Sequence, residues 1–522
     1  MKVVLISMPD VVPIVIHEMA IHMPNHGIAC VGGNVDAGHD VFLIDLVRKR
    51  GNIARYLKKT LKKIHPDLVG LSAMTWQYTT ALAIIGLIRK ILPDVKIVLG
   101  GYHTTLMSRE MADSGEAHAV DFMIRGEGEE TFRRLVNALD VKNHHDEKED
   151  LASIPGLSFK SDGQWLHNET APLCDLSHLK LPIRDGRRLT WGYHFMYSRI
   201  EVMETSRGCT RNCNFCSIRH MYGRSYRTYP IERILADLDD IYYRKKTRLV
   251  FVADDNMVLN PKWVTEVCDA IISRGYRNLR LVVQADCISM AKNEAMVAKM
   301  AQAGFQAVFL GIENASRRNL QAMEKGDLVD AARQAVGHCH RHGIMVMGGL
   351  IFGLPDDDER SIEQNYLFLK DLGVDGAYCQ MISPFPKTVM RDQLLEAGLI
   401  TNYDGYYRYN GLWANVKTKK LSAEKLQYAF WYYRQTALGW WTPSEFAKSQ
   451  GRLWTAAWTH LVMPVMKFFI DRKIRREGWE GRYRRDMARL EAMNRFDDLV
   501  PNSVPQSMTS LKGLGEPPHD RP

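Results

Sequence analysis

A chain of 522 residues, 46% of them hydrophobic, is too long for one core and has enough apolar side chains for several. Its nine cysteines, three clustered and the others scattered, do not form a disulfide framework, and the formal charge of +9 arises from a local basic stretch. The length therefore predicts a multidomain protein. Because residues 1–7 begin as a strand and not as a signal peptide, we expect this protein in the reducing cytoplasm.

Residues 1–141 alternate short β-branched strands with helices, and the first strands are predicted at 2–7, 40–46, 68–72 and 96–101. Alternation with short connections indicates a parallel, doubly wound, Rossmann-like sheet. Such sheets bind ligands at the carboxyl ends of their strands, where paired glycines let a bulky ligand approach the backbone. An ordinary Rossmann-like domain with tight turns is the alternative. The residues at these strand ends are Ser72, Trp76, Gly100, Gly101, Gly126 and Gly128.

Residues 142–195 are predicted to form a linker that starts with a polar run and contains a small hairpin. From residue 196 to residue 388, six apolar strands alternate with helices, and the first of them ends at Glu204. This repeat predicts a partial (β/α)6 TIM barrel that is open on one side. The chemistry of such barrels is located at the carboxyl ends of their strands.

Three cysteines follow the first barrel strand directly: Cys209, Cys213 and Cys216, separated by three and two residues. Thiolates at this spacing suit zinc or an iron-sulfur cluster. Zinc would need a fourth ligand, for which His220 is the one nearby candidate. A cluster held by only three cysteines leaves one iron open to chelate a small molecule.

This C-x3-C-x2-C loop resembles the signature of radical S-adenosylmethionine (SAM) enzymes. The resemblance implies that Cys209, Cys213 and Cys216 bind a [4Fe-4S] cluster, that its open iron binds SAM, and that Phe215 shields the cluster. A Rossmann-like domain ahead of such a loop resembles the cobalamin-binding radical SAM enzymes, which include hopanoid methylases and the anaerobic magnesium-protoporphyrin ester oxidative cyclase. It implies that cobalamin binds at the strand ends of residues 1–141.

The Asp-x-His-x-x-Gly motif of many cobalamin domains is absent from this sequence. We therefore expect no histidine beneath the cobalt, and expect the loop 74–77 to cover that face. His103 is interpreted as a contact of the cobalamin tail or as a surface loop residue.

The resemblance also assigns roles to polar residues at the barrel strand ends. Asp254, Asp255 and Asn256 are expected near the SAM amino group, Gln284 and Asp286 facing the pocket, Glu313 on the ribose, and Gly349 to Gly353 along the adenine. Carboxylates that only cap the following helices are the alternative. Arg224 or Arg227 either helps to hold the substrate or the SAM carboxylate, or belongs to a basic loop that anchors on helix carbonyls. Lys387 stands where the family's Pro-x-Pro-Gly-Thr turn has glycine.

Residues 389–500 are predicted to be helical and rich in aromatic residues, and residues 501–522 to be disordered. Within them, the stretch 453–490 is apolar and then strongly basic. It predicts a helix at a membrane interface or a helical cap with tryptophans in its core, and these interpretations are compatible. The aromatic residues lie in apolar context and not along a basic groove, so nucleic acid is not an expected partner.

The resemblance implies a mechanism in which SAM is cleaved to a 5′-deoxyadenosyl radical and cobalamin gives a methyl group to an unactivated carbon. A hydrophobic small molecule (a lipid, isoprenoid or tetrapyrrole) is the expected substrate, and flavodoxin or ferredoxin the electron donor. We expect the protein in the cytoplasm, with peripheral contact to the inner face of the membrane. The alternatives are a cobalamin-dependent cyclase or oxidative enzyme without methyl transfer and a non-enzymatic zinc scaffold. A methylthiotransferase would need further cluster cysteines near the amino terminus, where Cys30 stands alone.

Overall fold

The computed structural model describes residues 1–11, 22–140, 150–195, 198–437, 463–496 and 498–499. The first sheet is built from β1 (Lys2–Ser7), β2 (Asp40–Asp45), β3 (Leu68–Ser72), β4 (Lys96–Gly100), β5 (Phe122–Ile124), β6 (Leu157–Ser161) and β7 (Gln164–His167). Its helices are α1 (His26–Asn34), α2 (Ile53–Ile64), α3 (Tyr78–Ile91), α4 (Tyr102–Asp113) and α5 (Gly128–Leu139).

The strand order of the first sheet is β2-β1-β3-β4-β5-β6-β7, and β1 to β5 are parallel. Helices α2, α3 and α4 cover one face and α1 and α5 cover the other, which is why the strands are apolar on both sides. The predicted doubly wound sheet is confirmed. The hairpin predicted for the linker pairs with β5 as antiparallel strands and extends this sheet. Because the order reverses between β1 and β3, their carboxyl ends form the crevice where such sheets bind ligands.

The second sheet has the order β16-β15-β14-β13-β12-β9-β8. Its strands are β8 (His194–Phe195), β9 (Ser198–Met203), β12 (Leu249–Val252), β13 (Arg280–Asp286), β14 (Phe305–Glu313), β15 (Met345–Phe352) and β16 (Gly376–Met381), while β10 (Ser206–Arg207) and β11 (Arg227–Thr228) form a separate pair. Strand β8 is antiparallel and the other six are parallel, so the predicted six-stranded partial barrel is confirmed.

Helices surround the second sheet and continue beyond it. They are α6 (Ile218–Tyr222), α7 (Ile231–Asp239), α8 (Pro261–Ser273), α9 (Cys287–Lys292), α10 (Glu294–Gln302), α11 (Arg317–Ala322), α12 (Val329–Arg341), α13 (Glu359–Leu372), α14 (Val389–Glu396), α15 (Ala423–Thr436) and α16 (Met463–Met493). Helix α15 packs on α13, where the Phe430 ring lies 6.3 Å from that of Tyr366, and on the end of β15, where it lies 5.3 Å from that of Phe352. Trp431 is 1% exposed and donates its indole N–H to Asp486 Oδ2 at 3.2 Å. The predicted helical character of this region, with a tryptophan in its core, is confirmed.

The chain returns to the first sheet after α16. The Asn494 side chain accepts from the Val11 N–H at 3.0 Å and donates to the Val11 carbonyl at 2.9 Å, and Phe496 is buried against α2 and α3. These contacts hold the segment that leaves β1. Residues 453–462 of the predicted membrane stretch lie outside the described residues. Across the part of the chain that is described, no helix is both long enough and apolar enough to cross a bilayer.

Candidate active site

A cavity of about 450 Å³ opens at the carboxyl ends of the barrel strands. Its outer wall holds the predicted residues Cys209, Cys213, Phe215, Cys216, Asp255, Asn256, Gln284, Asp286, Glu313 and Gly349. Its inner wall is apolar and is formed by Ile200, Phe251, Val282, Phe309, Met347 and Tyr378. Residues predicted from five separate strand ends therefore meet at one site, because parallel strands bring their carboxyl ends to one edge.

The cysteine loop is held at its start by two neighbouring aspartates. Asp254 is 1% exposed and accepts from the Thr205 N–H (2.7 Å), the Thr205 hydroxyl (2.5 Å) and the Ser206 hydroxyl (2.5 Å). Asp255 accepts from the Gly208 N–H at 2.9 Å, and burial raises its pKa to about 7. Asp254 therefore fixes the turn out of β9, while Asp255 faces the cavity.

The loop needs glycine at position 208. Gly208 has a φ of +87°, and a Cβ there would lie 2.4 Å from the Ser225 carbonyl oxygen. The β10–β11 pair brings these segments together, with Ser206 opposite Thr228. The backbone that presents the three thiols is thus set by a left-handed residue packed against another part of the same loop.

The three thiols are partly buried, and the spacing of their sulfur atoms does not match a bound zinc ion. Burial raises the pKa of Cys216 to about 12 and also raises that of Cys213, so both thiols need a bound metal to ionise. A tetrahedral zinc ion with Zn–S bonds of about 2.3 Å holds its sulfurs about 4 Å apart. Among the described residues, the three thiols do not form a group whose ligand atoms all lie within 4.8 Å. His220, the predicted fourth zinc ligand, is exposed and belongs to no such group.

A buried ion pair forms the opposite wall. Glu313 Oε1 lies 2.8 Å from Lys325 Nζ, and that ammonium lies 5.9 Å from the centre of the Phe215 ring. Burial alone would lower the pKa of Lys325, but the charge of Glu313 outweighs it and keeps the pKa above its ordinary value. Glu313 has a φ of +66°, and the register of β14 and β15 shifts between Gly311 and Glu313. The bulge turns the carboxylate into the site, since irregular strand ends redirect side chains.

Sequence analysis missed Lys325. It lies in a polar loop after α11, and no motif distinguishes it from the other lysines of the chain. Its role depends on the pairing with Glu313, which only the bulge of β14 brings within reach.

A network of amides and charges joins the cysteine loop to β13. Asn256 donates to Asp286 Oδ2 at 3.0 Å, and Arg211 donates to Asp286 Oδ1 at 2.8 Å. Asp286 also accepts from the Ser289 N–H at 2.9 Å and so caps α9, which is the alternative weighed for such carboxylates. Gln284 is exposed and lines the cavity.

The first unit meets the cysteine loop through a buried ionic network. Arg207 donates to Glu127 Oε1 (2.9 Å), Glu129 Oε1 (2.6 Å) and Glu204 Oε2 (3.0 Å). Arg227 donates to Glu127 Oε1 at 3.0 Å, so it anchors its loop to a carboxylate of the first unit, whereas the sequence prediction placed such an anchor on helix carbonyls. Two carboxylates at the start of α5 thus hold two guanidinium groups from the barrel.

Tyr102, at the start of α4, lies at the same contact. Burial, followed by nearby acidic groups that include Asp255 and Cys216, raises the pKa of Tyr102 well above its ordinary value. Helix α4 also packs against α6, the helix that follows the cysteine loop. The carboxyl edge of the first sheet therefore faces the mouth of the barrel.

Two family profiles match the chain in this order. Residues 12–136 match the B12-binding domain, and residues 203–369 match the radical SAM superfamily. The first range spans β2 to β5 of the doubly wound sheet and the second spans the cysteine loop with β12 to β15. The chain belongs to the cobalamin-binding radical SAM family.

Known relatives agree with this combination. An uncharacterized methyltransferase of Pyrococcus horikoshii is 28% identical over 77% of this chain and 85% of its own length. The anaerobic magnesium-protoporphyrin IX monomethyl ester cyclase of Cereibacter sphaeroides is 24% identical over 71% of this chain and 59% of its own length. The solved structure of the radical SAM methyltransferase TsrM from Kitasatospora setae, with cobalamin and a [4Fe-4S] cluster bound, has a TM-score of 0.61. It is 18% identical and covers 76% of this chain and 75% of its own, so this likeness concerns the fold.

This cobalamin-binding radical SAM protein is an enzyme whose cofactors are a [4Fe-4S] cluster, SAM and cobalamin. Three thiols of the described cavity fit the cluster, because they are the only protein donors needed when one iron stays open. The polar outer wall beside them, with Asp255, Gln284 and Glu313, fits the polar groups of SAM.

Cobalamin is expected at the carboxyl ends of the strands of the first sheet, which we call the cobalamin edge. The glycines at this edge differ in what surrounds them. No atom lies within 4 Å of a Cβ built on Gly126, so a ligand has room there. At Gly101 such a Cβ would lie 2.6 Å from the Ala73 carbonyl oxygen, and at Gly128 it would lie 3.2 Å from Val31. The close approach at these two positions is therefore made by the protein itself. A Cβ on Gly100 has ordinary contacts, 3.7 Å from the Ile124 carbonyl oxygen.

The other predicted residues of this edge occupy the end of β3. Ser72 is the last residue of that strand, and Trp76 lies partly buried in the short 3₁₀ helix Thr75–Gln77 that follows it. Both lie at the reversal of strand order. They stay candidates for cobalamin contact.

His103 is not a surface residue, so that part of the prediction is wrong. It is 1% exposed on α4, its ring stacks on Tyr78 at 4.0 Å, and Tyr406 meets it edge-on at 4.9 Å. Burial lowers the pKa of His103 to about 4. Local sequence patterns could not predict the contact with Tyr406, because that residue is distant in the chain.

Two other predicted positions lie away from the cavity. Gly353 has a φ of +89° and a Cβ there would touch Leu426, Ile382 and Val416 at 3.2–3.3 Å, so it serves packing against the carboxyl-terminal region. Arg224 is exposed, on the same loop as Arg227.

Proposed function

We propose that this enzyme transfers a methyl group to an unactivated carbon of a hydrophobic small molecule. The observation that carries the proposal is the direct apposition of the cobalamin edge and the cysteine loop, with Tyr102 and the Arg207 network at their contact. A methyl carrier has to reach a substrate carbon that is being activated beside the cluster. Two sites facing each other across one opening meet that requirement.

When bound, the cofactors supply a carbon radical on the substrate and the methyl group that joins it. The contribution of the chain is placement. Glu313 and Lys325 offer one carboxylate and one ammonium at 2.8 Å, which suits the ribose hydroxyls and the carboxylate of SAM. Asp255, on the opposite side, offers an acceptor to the SAM amino group.

The inner wall of the cavity supports a hydrophobic substrate. Phe251, Phe309 and Tyr378 form a chain of edge-to-face rings with centroids 6.3 Å apart at each step. Aromatic walls exclude water from a radical and favour an apolar partner. The cyclase relative, by its name, acts on a tetrapyrrole ester, and the Pyrococcus relative is named a methyltransferase.

The test is a single-turnover assay with anaerobically reconstituted enzyme, reduced flavodoxin and SAM labelled in its methyl group. Lipid and tetrapyrrole extracts serve as substrate pools. Methyl transfer predicts labelled product together with both S-adenosylhomocysteine and 5′-deoxyadenosine. Cyclisation or oxidation, the second candidate supported by the cyclase relative, predicts 5′-deoxyadenosine without S-adenosylhomocysteine. The Cys213→Ala variant is the control and should form neither S-adenosylhomocysteine nor 5′-deoxyadenosine. Labelled product from that variant would contradict the proposal.

Peripheral membrane contact is a further part of the proposal. On α16, Val465 is 54% and Phe468 is 55% exposed, and Arg472 is exposed one turn later. Apolar and basic side chains together suit an anionic membrane surface. Co-flotation with vesicles of phosphatidylglycerol should fall in the Val465→Glu/Phe468→Glu variant, and an unchanged bound fraction would exclude this segment.

A further inference from the structure

A buried cluster of metal-ligand residues lies outside the cavity, where α1 meets the end of β9. His26 and Cys30 are four residues apart on α1 and so share one helix face, and Glu204 follows β9. His26 Nε2 lies 3.1 Å from Cys30 Sγ and 3.7 Å from Glu204 Oε2. Cys30 is 3% exposed, and the side chains of His26 and Glu204 are 9% and 17% exposed.

The spacing of these atoms matches a tetrahedral metal ion. The ligand atoms of the three residues all lie within 4.8 Å of one another, the one such group found in the described part of the chain. A zinc ion bound at about 2.0 Å by nitrogen or oxygen and about 2.3 Å by sulfur separates its ligand atoms by about 3.5 Å. The measured 3.1 and 3.7 Å lie on either side of that value. The ligand atoms of the third pair, Cys30 and Glu204, lie within 4.8 Å of each other.

The donor set favours zinc over the hard cations. Thiolate sulfur and imidazole nitrogen are ligands of zinc and other soft transition metals, whereas magnesium and calcium take oxygen ligands. Two further groups hold the carboxylate: Arg207 Nε at 3.0 Å and the Tyr229 hydroxyl at 3.2 Å both donate to Glu204 Oε2, so a metal ion would take Oε1. Such outer contacts are typical of metal-binding carboxylates.

The charges around the three residues favour a bound cation, although the Arg207 guanidinium lies beside Glu204. The buried network holds three carboxylates, Glu127, Glu129 and Glu204, against two guanidinium groups, Arg207 and Arg227. One negative charge is therefore in excess before His26 and Cys30 are counted. A divalent ion bound by one thiolate and one neutral imidazole balances that excess.

We propose that His26, Cys30 and Glu204 bind one zinc ion, with water as the fourth ligand, and that this ion fixes α1 to the first barrel strand. Glu204 lies five residues before Cys209, the first cysteine of the cluster loop. The ion would set the spacing between the cobalamin edge and the cluster loop. The proposal does not depend on methyl transfer and stands or falls separately.

The test removes the cluster cysteines first, so that any zinc measured is bound elsewhere in the chain. Full-length protein carrying Cys209→Ala, Cys213→Ala and Cys216→Ala is purified from zinc-containing medium, and its metals are measured by mass spectrometry. We expect about one zinc per chain, and expect cobalt(II) in its place to show a thiolate charge-transfer band. Adding Cys30→Ser should remove nearly all the zinc and abolish that band. Adding Cys268→Ser, which changes an equally buried thiol on α8, should leave both intact.

A second variant covers the case in which Cys30→Ser unfolds the chain. His26→Gln keeps a polar side chain of similar length and should lose zinc while the far-ultraviolet circular dichroism stays unchanged. A triple-alanine protein without zinc and without a cobalt charge-transfer band overturns the proposal and leaves a thiol–imidazole hydrogen bond. Zinc content that does not respond to Cys30→Ser or to His26→Gln also overturns it, because the metal is then bound elsewhere.

Discussion

The Arg207→Met variant tests whether the ionic network joins the first unit to the barrel. Arg207 is 5% exposed and contacts three carboxylates at 2.6 to 3.0 Å. After the substitution, Glu127 keeps Arg227 and Glu204 keeps the Tyr229 hydroxyl, so the charge of Glu129 loses most. Removing one partner of a buried pair costs about 3–5 kcal/mol. That corresponds to a roughly 200- to 5,000-fold increase in the opening constant of the contact.

Native-state hydrogen exchange gives this free energy for each unit separately, through the amides of β5 and β9. We expect both to lose protection by a similar amount in Arg207→Met. The control is Arg244→Met, whose side chain is 50% exposed and bridges Asp185 and Asp240, with an expected loss below about 1 kcal/mol. Adding Glu129→Gln to Arg207→Met removes the stranded charge and should recover part of the loss. If Arg207→Met loses no more protection than Arg244→Met, or if Glu129→Gln recovers nothing, the network does not stabilise the contact as described.

Three more perturbations test other parts of the structure. Gly208→Ala places a Cβ 2.4 Å from the Ser225 carbonyl oxygen, so this variant should lose most of the iron that the protein takes up in anaerobic reconstitution. Gly223→Ala, at a glycine that also has a positive φ but has open space around it, should retain the iron, and equal iron contents in the two variants would contradict this. Gly311→Ala places a Cβ 2.5 Å from Glu313 Oε1 and should weaken SAM binding about tenfold in equilibrium dialysis, while Gly86→Ala on α3, with open space, should not. His103 has a pKa of about 4 in the folded chain against 6.5 in the unfolded chain. Its contribution to the free energy of unfolding is therefore complete above pH 6.5, and about 3 kcal/mol of it is lost as the pH falls toward 4. Protection of α4 in His103→Leu should therefore fall less between pH 7 and pH 4 than in the wild-type chain, and parallel losses would refute the assignment.

Much of the fold was predictable because its signals are local. Apolar β-branched runs such as Lys2–Ser7 and Leu68–Ser72 are strands in any context that buries both faces, and the short connections between them leave little choice but a parallel sheet. The cysteine spacing has the same character, since the three thiols share one loop and need no distant partner to be recognised. At position 387 the chain places a lysine in the left-handed conformation, with a φ of +65° and an ion pair to Glu110. The turn therefore forms without the glycine usual in the family.

The parts that failed or were missed involve residues far apart in the chain. The close neighbour of Gly101, which stays a candidate for cobalamin contact, is the Ala73 backbone that follows the adjacent strand. His103 was interpreted as a contact of the cobalamin tail or as a surface loop residue, and the surface interpretation is wrong because a tyrosine some 300 residues later covers the ring. No periodicity or spacing reports such neighbours, because they arise only when the units pack.

From the sequence alone came the two α/β units, their order and the cysteine loop, through short patterns of apolar periodicity and thiol spacing, and a family resemblance assigned cofactors to them. Only the tertiary structure decided which charges meet: Glu313 with Lys325, Arg207 with Glu127 and Glu129, and His26 and Cys30 with Glu204. The physical reason is that a buried charge must find its partner within a few ångströms, and packing, not proximity along the chain, determines which side chains come that close.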